Sequence, residues 1–292
     1  MRIGIHTSIA GALENAALKA AEIGANTFQI FSSSPRTWRA ASPDPDQIKR
    51  LKATRERLDL APLVVHANYL INLAATDAGL RAQSVESFRG EIERAVAIGA
   101  EYLVLHPGSY GEQGMEKGIC ALVESLCAAE HGLKTNALAI LIENTVGGGT
   151  KLGGNFEELR VIRELAGNFV KTRTGLCLDT AHLLASGYDI ARPDGLRRTV
   201  READAAFGIE HVKVIHANDS KTPLGSRCDR HTHIGEGHIG AEAFRRILNH
   251  PKLRTKPFIL ETPRDAEGDE RRNVEKLKSL CRRRPTTISP SS

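Results

Sequence analysis

Eight short apolar runs recur along the chain, and each is followed by a polar residue and then by a helical pattern. Continuous runs of Val, Ile and Leu at this length are typical of strands buried on both faces of a parallel sheet. In chain order the eight runs are RIGIH (2–6), TFQIF (27–31), PLVVH (62–66), YLVLH (102–106), LAILIE (138–143), GLCLD (175–179), VKVIH (212–216) and PFILE (257–261). This repetition predicts a parallel sheet whose strands alternate with helices.

Amphipathic segments separate these runs, as expected for helices that cover such a sheet. Examples are GALENAALKAAEIGA (11–25), SVESFRGEIERAVAIGA (84–100), NFEELRVIRELAG (155–167) and GAEAFRRILNH (240–250). Gly24 and Gly99 each lie where a helix would stop before the next strand. Eight strand–helix units in 292 residues predict a single (β/α)8 barrel, the TIM barrel. A doubly wound sheet is the alternative, but no G-x-G-x-x-G follows the first run.

The barrel domain is expected over residues 1–281, and the basic and Ser/Pro-rich tail 282–292 is expected to be disordered. The five cysteines are odd in number and include no C-x-x-C pair, so reduced thiols are expected. No stretch approaches the roughly 18 apolar residues of a membrane span, and the N-terminus lacks a secretory segment. We therefore expect a cytoplasmic protein with no membrane partner. A formal charge of +5 favours a polyanionic partner only weakly.

Six of the eight runs end in a side chain that can bind a metal ion. These residues are His66, His106, Glu143, Asp179, His216 and Glu261. In a TIM barrel, the carboxyl ends of the strands form the face that carries the active site. The six side chains would therefore converge on one mouth of the barrel, and a metal site is expected there.

Three further groups follow in the loops. DTAH adds His182, three residues after Asp179, and SRCDRHTHIGEG (226–237) adds Asp229 and His231. Four carboxylates at one barrel mouth would repel each other and resist desolvation unless cations neutralised them. Mixed imidazole and carboxylate ligands favour zinc or manganese over calcium or magnesium. Nine ligands favour two or three ions with a bridging carboxylate.

Other histidines lie near these ligands in the sequence. His233 and His238 belong to the same loop as His231, and each is either a surface residue or a further ligand. His6 ends the first run, and we expect it beside the ligands rather than among them.

Several motifs resemble those of the endonuclease IV family of apurinic/apyrimidinic endonucleases. The three longest are HANYLINLA (66–74), GLCLDTAH (175–182) and IHANDSKTPLGSRCDRH (215–231). HPGS, IENT and FILETP fit as well, and the resemblance spans residues 1 to about 280. It implies a monomeric, metal-dependent DNA repair enzyme of base excision repair that binds three zinc ions, with manganese as an alternative at one site. Such an enzyme hydrolyses duplex DNA on the 5′ side of an abasic site, leaving a 3′-hydroxyl and a 5′-deoxyribose phosphate, and also removes 3′-blocking groups.

The resemblance also implies how the ligands divide among the ions. His66, His106 and Glu143 would hold the first ion. Glu143 would bridge to a second ion, and Asp179, His216 and Glu261 would complete its ligands. The third ion would be held by His182, Asp229 and His231. Glu261 is expected to position or deprotonate the attacking nucleophile, with Glu143 as the second catalytic carboxylate.

The same resemblance implies that side chains fill the gap in the DNA helix. The expected DNA contacts are Arg36, Tyr69, Leu70 and Arg230. Arg36 lies in SSSPRTWR, which departs from the family pattern because Ser34 stands where many relatives carry Asn. Trp38 of the same segment is either part of this contact or a packing residue.

Two rival functions share parts of this pattern. A sugar isomerase or epimerase on the same barrel would also bind metal at the strand ends, but one or two ions suffice for it. A non-catalytic lesion-binding protein would be expected to lack one or more ligands. No ligand of the pattern is missing from this chain.

Overall fold

A closed β-barrel in the computed structural model contains all eight predicted strands. The structure describes residues 1–38, 40–135 and 137–282. The strands are β1 (Ile3–His6), β2 (Thr27–Phe31), β3 (Leu63–His66), β4 (Tyr102–Leu105), β5 (Ala139–Glu143), β6 (Arg173–Asp179), β7 (Val212–His216), β8 (Asp219–Ser220), β9 (His231–Thr232) and β10 (Phe258–Leu260). All except β8 and β9 form the barrel, and every neighbouring pair in it is parallel. The predicted TIM barrel is confirmed.

Helices follow the strands and cover the outside of the barrel. They are α1 (Leu13–Glu22), α2 (Pro45–Arg57), α3 (Ala78–Ile98), α4 (Met115–Glu130), α5 (Phe156–Phe169), α6 (Thr180–Ser186), α7 (Pro193–Phe207), α8 (Ala241–Leu248) and α9 (Asp269–Ser279). A single 3₁₀ turn, Ile209–His211, leads into β7. β8 and β9 pair antiparallel and form a small hairpin beyond the end of β7.

The helix ends follow from local chemistry. α3 begins at Ala78, six residues before the predicted start, because the Asp77 carboxylate accepts a hydrogen bond from the Leu80 backbone N–H at 2.6 Å. It stops at Gly99, whose φ of 74° is a left-handed conformation that glycine adopts readily. Gly24 has a φ of 83° and lies two residues after the end of α1, so both predicted helix stops are confirmed.

Two apolar regions form the core. The larger one lies between the helices and the outer face of the strands. The smaller one fills the barrel interior with Val64, Val104, Ala139, Leu141, Cys177, Val214 and Ile259. Neighbouring strand residues alternate between the two regions, as Leu63, Val64 and Val65 do in β3. These side chains fill the barrel interior below its mouth, so the interior is a packed core and not a channel.

The last helix, α9, marks the end of the barrel domain in the described part of the chain. α9 ends at Ser279, close to the predicted domain boundary, and the tail expected to be disordered lies outside the described residues from position 283 onward. All five cysteines lie in the described part and are unpaired. None of the helices in the described ranges is both long and apolar enough to cross a membrane.

Candidate metal centre

Strand alternation brings six candidate ligands into the barrel mouth. Residues two apart on a strand point to the same face. Each candidate lies two residues after a residue of the barrel interior: His66 after Val64, His106 after Val104, Glu143 after Leu141, Asp179 after Cys177, His216 after Val214 and Glu261 after Ile259. The six side chains therefore form the next inward layer at the carboxyl end of the barrel.

The three other candidates come from segments that follow β6 and β7. His182 lies in the first turn of α6, and Asp179 caps this helix by accepting a hydrogen bond from the His182 backbone N–H at 2.8 Å. Asp229 and His231 return to the mouth at the end of a loop that begins after β7. His231 pairs with Ser220 in the β8–β9 hairpin, which fixes where this loop ends.

Glu143 lies between two groups of ligands. Its Oε2 atom is 3.2 Å from His66 Nε2 and 3.3 Å from His106 Nε2. Its Oε1 atom faces the other way and lies 3.0 Å from His216 Nδ1. Because the two oxygens of this buried carboxylate face different histidines, Glu143 has the geometry to bridge two cations.

The second group contains three carboxylates. Ligand atoms of Glu143, Asp179, His216 and Glu261 all lie within 4.8 Å of one another. Glu261 Oε2 is 3.3 Å from His216 Nδ1. Glu143, Asp179 and His216 are all completely buried. Three ionised carboxylates around one imidazole carry more negative charge than a single protonated histidine can neutralise.

The third group contains His182 and His231 with two carboxylates: ligand atoms of Asp179, His182 and His231 lie within 4.8 Å of one another, and Asp229 contacts both histidines. Asp229 Oδ2 is 3.2 Å from His182 Nε2, and Asp229 Oδ1 is 3.2 Å from His231 Nε2. His231 Nε2 also lies 3.7 Å from Asp179 Oδ2, so this group adjoins the second one. Among the described residues, no atom makes a hydrogen bond of suitable geometry to the buried His231 Nε2. A buried nitrogen that faces two carboxylates in this way is placed as a metal ligand would be.

Four of the five histidines have one ring nitrogen held by the protein and the other turned toward the carboxylates. The holding contacts are His66 Nδ1 to the Ala67 carbonyl at 2.8 Å, His182 Nδ1 to the Asn144 carbonyl at 2.8 Å, His231 Nδ1 to the Glu261 carbonyl at 3.2 Å, and His216 Nε2 to Gln29 Oε1 at 2.9 Å. Metal-binding histidines usually donate their second N–H to such an acceptor, which fixes the tautomer and orients the ring.

Amide side chains that were not among the predicted site residues hold the carboxylates in place. Gln29 Nε2 donates to Glu261 Oε1 at 2.6 Å. Asn218 Nδ2 donates to Asp179 Oδ2 at 2.5 Å and to Glu261 Oε2 at 3.2 Å. Asn144 Oδ1 accepts a hydrogen bond from the Asp179 backbone N–H at 2.6 Å. Gln29 could have been found from the sequence, because it occupies an inward position of β2.

The charges at the third group are strongly coupled. Burial lowers the pKa of His182, but the carboxylates of Asp179 and Asp229 outweigh it and raise that pKa to about 10. Burial likewise opposes protonation of His231, yet Asp179 and Asp229 raise its pKa to about 9. The burial of Asp229 raises its pKa, but the two histidines hold it well below its ordinary value. The carboxylates thus favour a positive charge at these imidazoles, which either a proton or a metal ion supplies.

The residues present fit divalent metal ions. Two imidazoles with one carboxylate, or one imidazole with several carboxylates, are ligand sets that zinc and manganese accept. Cys177 Sγ lies within reach of Glu143 and His216. Burial raises the pKa of the Cys177 thiol to about 12, so this side chain is neutral at pH 7 when no metal ion is bound.

Known proteins are similar to this chain over most of its length. A family model described as a xylose isomerase-like TIM barrel matches residues 17–282. Over 281 residues the chain is 60% identical to the "Probable endonuclease 4" of Solibacter usitatus, and the match covers 96% of this chain and 97% of that protein. The chain belongs to the endonuclease IV family.

Two further comparisons agree with this membership of the endonuclease IV family. The chain is 43% identical to the "Probable endonuclease 4" of Halothermothrix orenii over 283 residues, which covers 97% of this chain and 100% of that protein. The crystal structure of endonuclease IV from Thermus thermophilus matches with a TM-score of 0.84 at 38% identity, covering 96% of this chain and 98% of that one. The resemblance inferred from the motifs is confirmed.

The side chains that the endonuclease IV resemblance assigns to DNA lie on loops at the carboxyl end of the barrel. Tyr69 follows β3 and is 67% exposed, and its ring centroid lies 6.1 Å from that of His66. Arg36 and Arg230 are exposed on the loops that follow β2 and β7, and Leu70 is half-buried beside Tyr69. Tyr69 therefore presents an aromatic ring to solvent directly beside a candidate metal ligand.

The remaining histidines take different positions. His6 Nδ1 lies 3.1 Å from Gln29 Nε2, which places it beside the ligands as expected. His238 is exposed. His233 is neither a surface residue nor within the three ligand groups, because it is buried with its Nδ1 2.9 Å from Asn273 Nδ2. It fastens its loop to α9.

One buried carboxylate organises the segment that follows the ligand candidates Asp229 and His231 in this endonuclease IV chain. Asp219 is completely buried. It accepts hydrogen bonds of 2.9 to 3.2 Å from the backbone N–H groups of Gly235, Gly237, Ile239 and Gly240. Charge-assisted hydrogen bonds of this kind are stronger than neutral ones, so Asp219 fixes the segment that follows His231.

We predict that Asp219→Ala loosens this segment. The amides of residues 235–240 should lose protection in hydrogen exchange, and the free energy of unfolding should fall by about 1.5–3 kcal/mol, the scale of lost hydrogen bonds to a charged group. The control is Asp189→Ala, which removes a buried carboxylate that accepts hydrogen bonds from the Ala191 and Arg192 backbone. Unchanged protection in Asp219→Ala would contradict this role.

Proposed function

We propose that this protein is a DNA repair endonuclease that hydrolyses the phosphodiester on the 5′ side of abasic sites in duplex DNA. The products would be a 3′-hydroxyl and a 5′-deoxyribose phosphate, and the same site would remove 3′-blocking groups. The observation that supports this most is the junction of three ligand groups at one barrel mouth, in a chain of the endonuclease IV family. The enzyme would act in the cytoplasm as a monomer.

The metal ions would be three zinc ions, with manganese as an alternative at one site. His66, His106 and Glu143 would hold the first ion, and Glu143 would be shared with the second. Asp179, His216 and Glu261 would complete the second ion's ligands, and His182, Asp229 and His231 would hold the third. A sugar isomerase or epimerase needs only one or two ions, so the third group favours the nuclease.

Glu261 is the side chain best placed to act on the attacking water. Zinc ions bound at the mouth would lower the pKa of a water and offset the charge on the phosphate. Burial and the Glu143 carboxylate raise the pKa of Glu261, but His216 and the other nearby histidines outweigh them and lower it to about 2. Glu261 is therefore ionised at neutral pH and accepts a hydrogen bond from the water. Glu261 would therefore either orient the water or remove its proton.

Hydrogen bonds keep Glu261 in the orientation that this role requires. Gln29 donates to its Oε1 atom and Asn218 to its Oε2 atom, at 2.6 and 3.2 Å. The Glu261 backbone N–H also donates to Asn218 Oδ1 at 2.7 Å. Both oxygens are thus restrained before substrate binds, which reduces the reorganisation needed during attack.

The central experiment is incision of a duplex that carries one abasic analogue. The wild-type protein should give a single cut on the 5′ side, and the product should end in a 3′-hydroxyl. Glu261→Gln keeps the size of the side chain but removes its charge, so kcat should fall by at least about 100-fold while metal content and DNA binding persist. Glu267→Gln, on the exposed part of the same loop, should behave as wild type. Near-normal turnover of Glu261→Gln with its metals bound would refute this role.

Metal analysis tests the third ligand group separately. The purified protein should contain close to three equivalents of zinc, or of zinc with manganese. His231→Ala should lower this by about one equivalent, because one of three ligands is lost, whereas His238→Ala removes an exposed histidine of the same loop and should change nothing. If wild type retains no more than one tightly bound ion, or if His231→Ala leaves the content unchanged, the trinuclear proposal is wrong.

Lesion recognition is tested with Tyr69 and Arg36. Contacts to phosphate bind any duplex, whereas a ring that stacks where the base is missing stabilises only the damaged one. Tyr69→Ala or Arg36→Ala should therefore weaken binding to abasic duplex by about 1–3 kcal/mol and change binding to intact duplex much less. Arg57→Ala makes the same charge change at the end of α2 and serves as the control. The measurement is a titration of both duplexes at one salt concentration. An equal loss of affinity for abasic and intact duplex would contradict the assignment.

A further inference from the structure

One buried face of α3 is polar, although a helix on the outside of a barrel normally turns an apolar stripe toward the core. Ser84, Ser87, Glu91 and Arg94 follow one another at intervals of three, four and three residues, so they share one side of the helix. Their exposed fractions are 0%, 5%, 1% and 7%. We call these four residues the polar face of α3. None of them belongs to the three ligand groups.

The C-terminal half of this face, Glu91 and Arg94, holds the loop after β2. The Ser32 hydroxyl donates to the Glu91 carboxylate, and Arg94 Nε donates to Ser32 Oγ at 2.7 Å. Arg94 also pairs with Glu91 at 3.3 Å. These three buried side chains form a closed network at the start of residues 32–38, the first recognition loop, which carries Arg36.

The N-terminal half of the face, Ser84 and Ser87, holds the loop after β3. Asn68 Nδ2 donates to Ser87 Oγ at 3.1 Å. The Asn72 backbone N–H donates to Ser84 Oγ at 3.0 Å. Asn68 and Asn72 flank Tyr69, and we call the segment between them the second recognition loop. Both of its ends are therefore tied to α3.

The two recognition loops also contact each other directly. Asn68 Nδ2 lies 3.5 Å from the carbonyl oxygen of Thr37 in the first loop. Trp38 lines a groove of about 270 Å³ with Ser87 and Arg94, so it faces α3 rather than the metal centre. One helix face thus supports the segments that carry Arg36 and Tyr69, two of the proposed DNA-contacting side chains.

Stability alone does not explain this arrangement. A buried ion pair such as Glu91–Arg94 is often no more stabilising than apolar side chains of similar volume, whereas a fully hydrogen-bonded buried network fixes one geometry. We propose that the polar face of α3 positions the two recognition loops relative to each other, so that Arg36 and Tyr69 reach an abasic site together. Ser32 and the polar face are then positioning residues for lesion recognition. This inference rests on the proposed function.

Ser32→Ala tests the inference because it removes the hydroxyl that connects the first recognition loop to Glu91 and Arg94. In the protein without DNA, hydrogen exchange of residues 32–38 should increase. With abasic duplex, KM should rise about 10-fold, since a misplaced contact lowers binding, while kcat at saturation changes less than twofold. Metal content should stay the same. Ser32→Thr keeps the hydroxyl and should restore both exchange and KM.

The matched control is Thr172→Val. The Thr172 hydroxyl also donates to a buried carboxylate, that of Glu130, but it lies just before β6 at the opposite end of the barrel. This variant should leave KM and the exchange of residues 32–38 unchanged. Wild-type exchange in Ser32→Ala would overturn the inference, and so would increased exchange with an unchanged KM. Failure of the wild-type protein to cut abasic duplex would instead contradict the proposed function, and the exchange measurement would still decide whether α3 orders the loop.

Discussion

Burial of carboxylates at the mouth of a closed barrel is the constraint on which the rest of this structure depends. Glu143 and Asp179 are completely buried because the alternation of β5 and β6 directs them inward, above Leu141 and Cys177. Taking an ionised carboxylate out of water is unfavourable unless opposite charge and hydrogen bonds compensate for it. Histidines on neighbouring strands and amide side chains provide part of this compensation. In our account, metal ions provide the rest and make the site chemically active.

The elements around the mouth each serve this arrangement in a specific way. Asp179 is both a ligand candidate and the cap of α6, so the helix that carries His182 begins where the ligand group needs it. Asp219 takes no part in the ligand groups, but it fixes the segment that follows His231. The polar face of α3 does the same for the proposed recognition loops. The proposed sites for metal and for DNA therefore both depend on buried polar groups that connect loops to the rigid barrel.

The convergence of the strand-end ligand candidates could be predicted from the sequence, because an apolar run and its last residue are local features and a closed barrel brings the strand ends together. The same alternation also contains Gln29, which the sequence analysis overlooked. Contacts between distant segments could not be predicted: Ser32 meets Glu91 and Arg94 across 59 and 62 residues, and only the packing of α3 brings them together. His233 bonds a partner 40 residues away, so its sequence position beside the ligands gave no sign of its structural role.

Anomalous diffraction from crystals of the purified protein, recorded at the zinc and manganese absorption edges, tests the central claim most directly. The account predicts three peaks at the barrel mouth. Two of them would lie on opposite sides of the Glu143 carboxylate, and the third would lie between His182, Asp229 and His231. A single peak, or peaks that leave Asp229 and His231 without a metal neighbour, would contradict it. In that case the buried carboxylates would be compensated by protonated histidines rather than by metal ions.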